Sequence, residues 1–305
     1  MYIEKRKSGK NIKYYLVHSY RDVHNKVQKL RKYLGINLTS ERLQVLTEEA
    51  KNSILNLLKS IELDVFEFSL TEKQIESLNE YDDKVAIFHF SEKQWQQFTE
   101  EFVYNTNAIE GSTIPQEEVH EILKKKKSND DEEIEAKGVA KAIEYIRKTK
   151  QDLSVNLILK LHELCFKGSK HFAGKLRNVE VVIRDRSGEI IHSGTPIENL
   201  NKELNELILW YKKNKKLFKP LTLAAIIHNQ FEDIHPFQDG NGRVGRLLLN
   251  FILVRNKYPP INILLEDRGE YYNTLQEYEQ NDKLRPTLNF LIKQYKKTLK
   301  KVTTK

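Results

Sequence analysis

The sequence predicts a mainly α-helical protein with a small β meander at its N-terminus and one β-hairpin near its middle. Three observations carry this. From Ser40 onward apolar residues recur at helical spacing in segment after segment. Residues 1–35 instead read as short runs rich in Tyr, Val and Leu, such as YYLVHSYRD, punctuated by Gly9, Asn25 and Gly35. A β-type pattern returns only in VEVVIRDRSGEIIHSG, residues 179–194, where two short runs flank a turn at Arg184 to Gly188.

The elements follow in order. Ser40 is a candidate N-cap for one long helix through LQVLTEEAKNSILNLLKSI. SEKQWQQFTEEFVYNTNAIEG predicts another, capped by Ser91 and ended by Gly111. KKKKSNDDEEIEAK (124–137) is a charge-block loop running into a helix that reaches about Lys148. LSVNLILKLHELCFKG (153–168) is an amphipathic helix closed by Gly168. ENLNKELNELILWYKKN and LTLAAIIHNQFEDI continue the helical pattern, and the tail 283–305 is a basic amphipathic helix. The expected layout is a β module at 1–37, a helical region at 38–99, a main domain at 100–282 and the C-terminal helix at 283–305.

Composition bounds the setting. The chain has 305 residues, 39% of them hydrophobic and 31% charged, which is globular and on the polar side. One cysteine, Cys165, forbids an internal disulfide and suits a reducing cytosol, so a cytoplasmic location is expected. MYIEKRKSGK lacks the apolar core of a signal peptide, and no apolar run approaches a membrane span. The net charge of +8, taken over 51 basic and 43 acidic residues, is mild. It allows a phosphate or nucleic-acid partner, best placed on the N-terminal β module, without arguing for one.

The chemistry concentrates in HPFQDGNGRVGR, residues 235–246. Asp239 to Gly242 is a turn, and the helix GRVGRLLLNFILVRN follows it, so the amides of Gly240, Asn241 and Gly242 sit at a helix N-terminus. Orphan donors and the positive end of the dipole make an anion site there. Arg243, Arg246 and Asn250 fall on one helix face, with Val244, Leu247, Leu248 and Phe251 largely on the other. Two arginines beside an anion site suggest more than one phosphate. Asp239 beside phosphates is suited to Mg²⁺, or Mn²⁺. His235 suits a base that takes a proton from a hydroxyl. Pro236 stops the preceding helix near Ile234. These parts make a nucleotidyl- or phosphoryl-transfer site. The run Gly240 to Gly245 also matches G-x-G-x-x-G, with Glu266 about 20 residues on after a strand-like INILL. A dinucleotide turn follows a buried strand, however, whereas FEDIHPFQD precedes this one. A Walker loop fails because Arg246-Leu247 stands where Lys-Ser/Thr belongs.

HPFQDGNGRVGR resembles the signature of the Fic family, HPFx(D/E)GNGRxxR, at every fixed position. AAIIHNQFEDIHPF, LILKLHELCFKG, FAGKLR, the 179–194 hairpin and EYYNTL (270–275) resemble family elements in the same order. The resemblance covers roughly residues 100–282. It implies a Fic-type helical bundle with a β-hairpin flap, and transfer of AMP from ATP to a protein hydroxyl. In that picture His235 deprotonates the acceptor Ser, Thr or Tyr and Asp239 holds the metal. Gly240, Asn241 and Gly242 bind anionic oxygens, and Arg243 and Arg246 bind the β- and γ-phosphates. Asn250, with Tyr271 or Tyr272, lines the nucleoside pocket, and the hairpin pairs with an extended segment of the target protein. His228 and His162 read as packing or hydrogen-bonded residues, and Cys165 as a small buried hydrophobe.

TNAIEG, Thr106 to Gly111, resembles the family's inhibitory motif, (S/T)xxxE(G/N). The resemblance implies that Glu110 pairs with Arg246 in a two-pronged bridge and withholds it from the γ-phosphate. In some members the same glutamate orients a water that removes AMP. The expectation is therefore a protein adenylyltransferase autoinhibited by Glu110. Transfer of another nucleotide or of phosphocholine stays open, as does a non-catalytic nucleotide- or DNA-binding regulator, and so does a homo-oligomer.

Overall fold

The computed structural model describes residues 1–21, 27–59, 62–65, 68–184 and 190–303. The chain forms two compact units, Met1–Leu78 and Asn79–Lys305.

The first unit opens with three antiparallel strands in sequential order: β1 (Tyr2–Ser8), β2 (Asn11–Arg21) and β3 (Val27–Ile36). Gly9, at φ +64°, turns β1 into β2. A register shift between Tyr14 and Tyr15 interrupts the β2–β3 ladder. Helix α1 (Ser40–Lys59) covers one face of the sheet: Leu16 and Leu34 pack with Ala50 and Ile54 of the helix. The cap of α1 is Thr39 rather than the expected Ser40, since the Thr39 carbonyl accepts the first helical bond, from Leu43 N–H at 2.9 Å. A second hairpin, β4 (Glu62–Val65) with β5 (Phe68–Thr71), leads into α2 (Glu72–Asn79). No sequence signal had assigned these elements.

The second unit is helical. After a 3-10 turn at Glu80–Lys84 come α3 (Glu92–Ile109), α4 (Val119–Lys124), α5 (Asp131–Lys148) and α6 (Val155–Phe166). Ser91 and Gln94 form a reciprocal capping box on α3. Asp130 and Ser154 cap α5 and α6. The hairpin β6 (Val182–Arg184) and β7 (Ile190–Ser193) sits where the sequence placed it, with Val182 opposite Ser193. Of its expected turn, 184–188, all but Arg184 lies outside the described residues. Then come α7 (Ile197–Asn214), α8 (Pro220–Ile234), α9 (Asn241–Arg255), α10 (Arg268–Asn281) and α11 (Arg285–Thr303). Asp82, buried in the 3-10 turn, accepts from Leu221 N–H at 2.7 Å and Thr222 N–H at 3.3 Å, so it caps α8 from outside that helix. The C-terminal helix α11 docks against α3, α8 and α10, and its Leu288, Phe290 and Leu291 are buried.

INILL is not a strand. Its amides are satisfied by side chains instead: Ile261 by Asn250, Asn262 by Thr298 and Leu264 by Gln294. Helix α9 has no solvent face, because α5, α6 and α8 enclose it and its residues from Arg243 to Leu253 are all buried. The polar stripe read from its sequence is an internal one. Among the described residues no helix is long and apolar enough to cross a membrane.

Candidate active site

The site is built where α8 stops and α9 starts. Pro236 cannot continue a helix, and His235 takes a left-handed conformation, φ 51°, as the C-cap of α8. The chain then closes a tight loop. Phe237 N–H donates to Asn241 Oδ1 and Asn241 Nδ2 donates back to Phe237 O, both at 2.8 Å. Gly240 follows at φ +85°, and an added Cβ there would lie 2.3 Å from the Phe166 ring. The first bond of α9 runs from Val244 N–H to Gly240 O, so the amides of Asn241, Gly242 and Arg243 have no partner within the helix.

A cavity of about 680 Å³ opens at this turn, within the usual range for a small-molecule site. Its walls include His235, Asp239, Gly240, Asn241, Gly242, Arg246, Tyr271, Tyr272 and Glu110. Two expected residues are not brought to it. Asn250 Nδ2 donates to Arg246 O and Ile261 O, and its Oδ1 accepts from Ile261 N–H. Its amide brackets Ile261, and Asn250 is not among the residues that line the cavity. Arg243 also turns away. It donates to the buried Glu135 of α5, reaches Asp239 Oδ1 at 3.3 Å and lies 4.3 Å over the Phe166 ring.

His235 Nδ1 lies 3.2 Å from Glu232 O, which assigns the proton to Nδ1 and the lone pair to Nε2. Arg177, 4% exposed, holds this turn from behind. Its backbone N–H donates to Pro236 O, its Nε donates to His235 O at 2.8 Å, and NH2 donates to Thr195 O. The same guanidinium reaches Val179 O, so one side chain ties the base of the hairpin to the His235 turn. His162 supports the other side. It accepts from Gly174 N–H at Nδ1 and donates from Nε2 to Asp239 O at 3.0 Å, while its ring stacks on Phe237. Burial pushes its pKa down to about 4, so it stays neutral.

Arg246 is 1% exposed and is gripped by α3. Nε donates to Thr106 Oγ1 at 2.8 Å, and NH2 donates to Thr106 O at 2.9 Å and Glu110 Oε1 at 2.7 Å. The expected two-pronged Arg–Glu bridge is thus a single bond to Glu110, with Thr106 supplying the other two oxygens. Gly242 permits the approach: a Cβ there would lie 2.3 Å from Glu110 Oε1. The Glu110 carboxylate therefore presses against the first turn of α9, beside the amides that would receive an anion. Burial opposes the charge on Arg246, but Glu110 outweighs it and keeps the guanidinium cationic.

Sequence reading missed Glu232, three residues before His235. Burial pushes its carboxyl up to about 8; Arg246 opposes the shift and the Glu110 charge adds to it. Its Oε1 and the His228 Nδ1, 3.9 Å apart, have no hydrogen-bond partner among the described residues. His228, held near a pKa of 3 by burial, meets the Tyr271 hydroxyl at 3.0 Å through Nε2, and so positions that cavity wall. The missed cluster also includes Lys170, 3.6 Å from Glu135 and 3.7 Å from Asp239. Asp239, with its side chain 43% exposed, is flanked by two cations. Only the inward helical position of Glu135 in the charge block could have signalled this network.

The Fic/DOC family model matches residues 152–253. Protein adenylyltransferase Fic of Nematostella vectensis is 31% identical over 208 residues, which is 65% of this chain and 47% of that protein. The chain spans about half the length of the curated relatives it matches. A Fic domain-containing signaling protein of Bacteroides thetaiotaomicron superimposes with a TM-score of 0.62 at 24% identity, covering 77% of this chain and 97% of that one. Fic-1 of C. elegans gives 0.62 at 23% identity, over 88% and 78%. The helical fold, the signature turn and these likenesses agree, and residues 152–253 form a domain of the Fic/DOC family.

Proposed function

We propose that the protein transfers AMP from ATP to a Ser, Thr or Tyr hydroxyl of a target protein, and that Glu110 holds this activity low. The observation that carries the reading is the convergence of His235, the first amides of α9 and Arg246 on one cavity. The acceptor oxygen attacks the α-phosphorus, its proton passes to His235 Nε2, and the bond to pyrophosphate breaks with the electron pair leaving on pyrophosphate. The α9 amides, aligned with the helix dipole, receive phosphate oxygens in the transition state. Arg246 neutralises the γ-phosphate once Glu110 releases it. Arg243 acts indirectly, bracing Asp239. Arg177 anchors the hairpin, against which an extended target segment would pair as an added strand.

Asp239 fits a Mg²⁺ or Mn²⁺ ion that arrives with the nucleotide. It offers one half-exposed carboxylate at the cavity wall, and no cluster of three or more His, Cys, Asp or Glu forms a protein cage among the described residues. When bound, the ion would neutralise phosphate charge. The test is mass spectrometry of the Glu110→Gly protein incubated with cell lysate and each of ATP, GTP, UTP and CDP-choline. An AMP adduct from ATP supports the reading. An adduct only from another donor, or none, overturns it.

A further inference from the structure

The net charge of +8 is not spread along the chain. Residues 1–36 hold ten of the 51 basic residues and two of the 43 acidic ones, so they carry all of it. The other 269 residues balance at 41 of each sign. Four of the ten, Arg6, Lys13, Lys29 and Arg31, share one face of the sheet by register, while Lys5, Lys7 and Lys32 fall on the face toward α1. Leu16, Leu34, Tyr14 and Leu30 face α1. Residues of the opposite parity form the other face. There the register sets Arg6 beside Lys13, Arg31 beside Val17 and Lys29 beside Ser19. Arg6, Lys29, Arg31 and Tyr33 are exposed. Glu4 is the one acid within the three strands, and it is neutralised between Arg6 at 2.8 Å and Arg31 at 3.1 Å.

We propose that this face binds double-stranded DNA. The strand order β1-β2-β3 puts Arg6 on one edge strand and Lys29 and Arg31 on the other. Three strands span about 10 Å between the outer two, which fits a major groove about 12 Å wide. In that placement the edge cations meet the phosphate walls, with Lys13 and Tyr15 of the central strand between them. Binding to single strands would need open aromatic faces for bases to stack on. Here Tyr15 is occupied: its ring lies 5.3 Å from the Tyr33 ring, with the Arg6 guanidinium 5.3 Å over it. Tyr2 and Tyr33 stay exposed on the edge strands, so the width of the sheet and the charge on its two edges, rather than the rings, favour the duplex, and this binding is independent of the transfer site in the second unit.

The test is fluorescence anisotropy of the full chain with a labelled duplex two helical turns long, over a range of salt concentrations. Duplex binding should weaken with salt, with a slope of about 0.9 in log K per phosphate contacted. The variant Arg6→Gln/Lys29→Gln/Arg31→Gln should bind at least about 10-fold more weakly, with the slope reduced by roughly 2–3. Lys29→Gln alone, at an exposed position that leaves both Glu4 pairs intact, should reduce the slope by about 0.9 even if the triple variant proves unfolded by circular dichroism. Lys51→Gln, on α1, should change nothing. Absence of duplex binding at low salt overturns the proposal. So does an unchanged slope in Lys29→Gln and the folded triple variant, or tighter binding of a single strand of equal length.

Discussion

At the scale of single residues, His235 and Glu232 make opposite demands on a proton. His235 presents the Nε2 lone pair because Nδ1 is committed to Glu232 O. His235→Ala should lower AMP transfer by ~10²–10⁴ while leaving ATP affinity nearly unchanged, since the imidazole acts on the acceptor. Labelled-AMP incorporation beside calorimetric ATP titration checks this, and wild-type transfer in the variant would refute the base role. Glu232 keeps its proton up to about pH 8 in the fold. An unfolded glutamate releases it near the ordinary carboxylate value, so between those two points the folded state binds more protons than the unfolded one. This group therefore costs stability as pH rises through that window and costs nothing below it. Glu232→Gln, which stays neutral, should flatten the loss. Its Tm at pH 9 should exceed that of wild type by roughly 2–4 °C for each kcal/mol recovered. Parallel Tm-against-pH curves for the two proteins would show the carboxyl to be ordinary.

At the scale of elements, the proposed restraint on the site lies in the contact of α3 with α9. The end of α3 supplies Thr106 and Glu110 to one buried arginine. Glu110→Gly should raise target or self-modification by about 10- to 1000-fold, because each ~1.4 kcal/mol of withheld pairing is a factor of ten in the competent population. Arg246→Ala in the same chain should remove the gain. Glycine follows naturally at a helix end, yet the change leaves a buried cation with Thr106 alone, so the variant should melt a few degrees lower. It should also draw the Glu232 carboxyl downward, since the Glu110 charge is one cause of its rise. Equal activity of Glu110→Gly and wild type, both folded and ATP-bound, would leave TNAIEG as a helix terminus only.

At the scale of the whole molecule, the chain forms two compact units. The cavity residues all belong to the second. Saturating ATP with Mg²⁺ should therefore slow amide exchange in α3, α9 and the 235–240 turn of the Glu110→Gly protein. At a ligand excess of 100 Kd the expected stabilisation is about 2.7 kcal/mol. Exchange in β1, β2 and β3 should not move. Hydrogen-exchange mass spectrometry reads both, and equal slowing in the two units would contradict a site confined to the second.

Much of this site was legible because its geometry is local. Pro236 and Gly240 set the turn through their own backbone preferences, Ser91 and Gln94 start α3 by a contact three residues long, and helical period places Thr106 and Glu110 on one face. Tertiary structure decided the rest. Arg243 and Arg246 are alike in sequence, but Glu135 on α5 claims one and Thr106 with Glu110 on α3 claims the other. Asn250 went to the backbone of the 261–264 segment because that run had no neighbouring strand to satisfy it. Period and capping depend on the nearest few residues, and the sequence states those directly. Which distant group finishes a buried side chain's hydrogen bonds, and how far burial moves a carboxyl such as Glu232, depends on elements that only folding brings together.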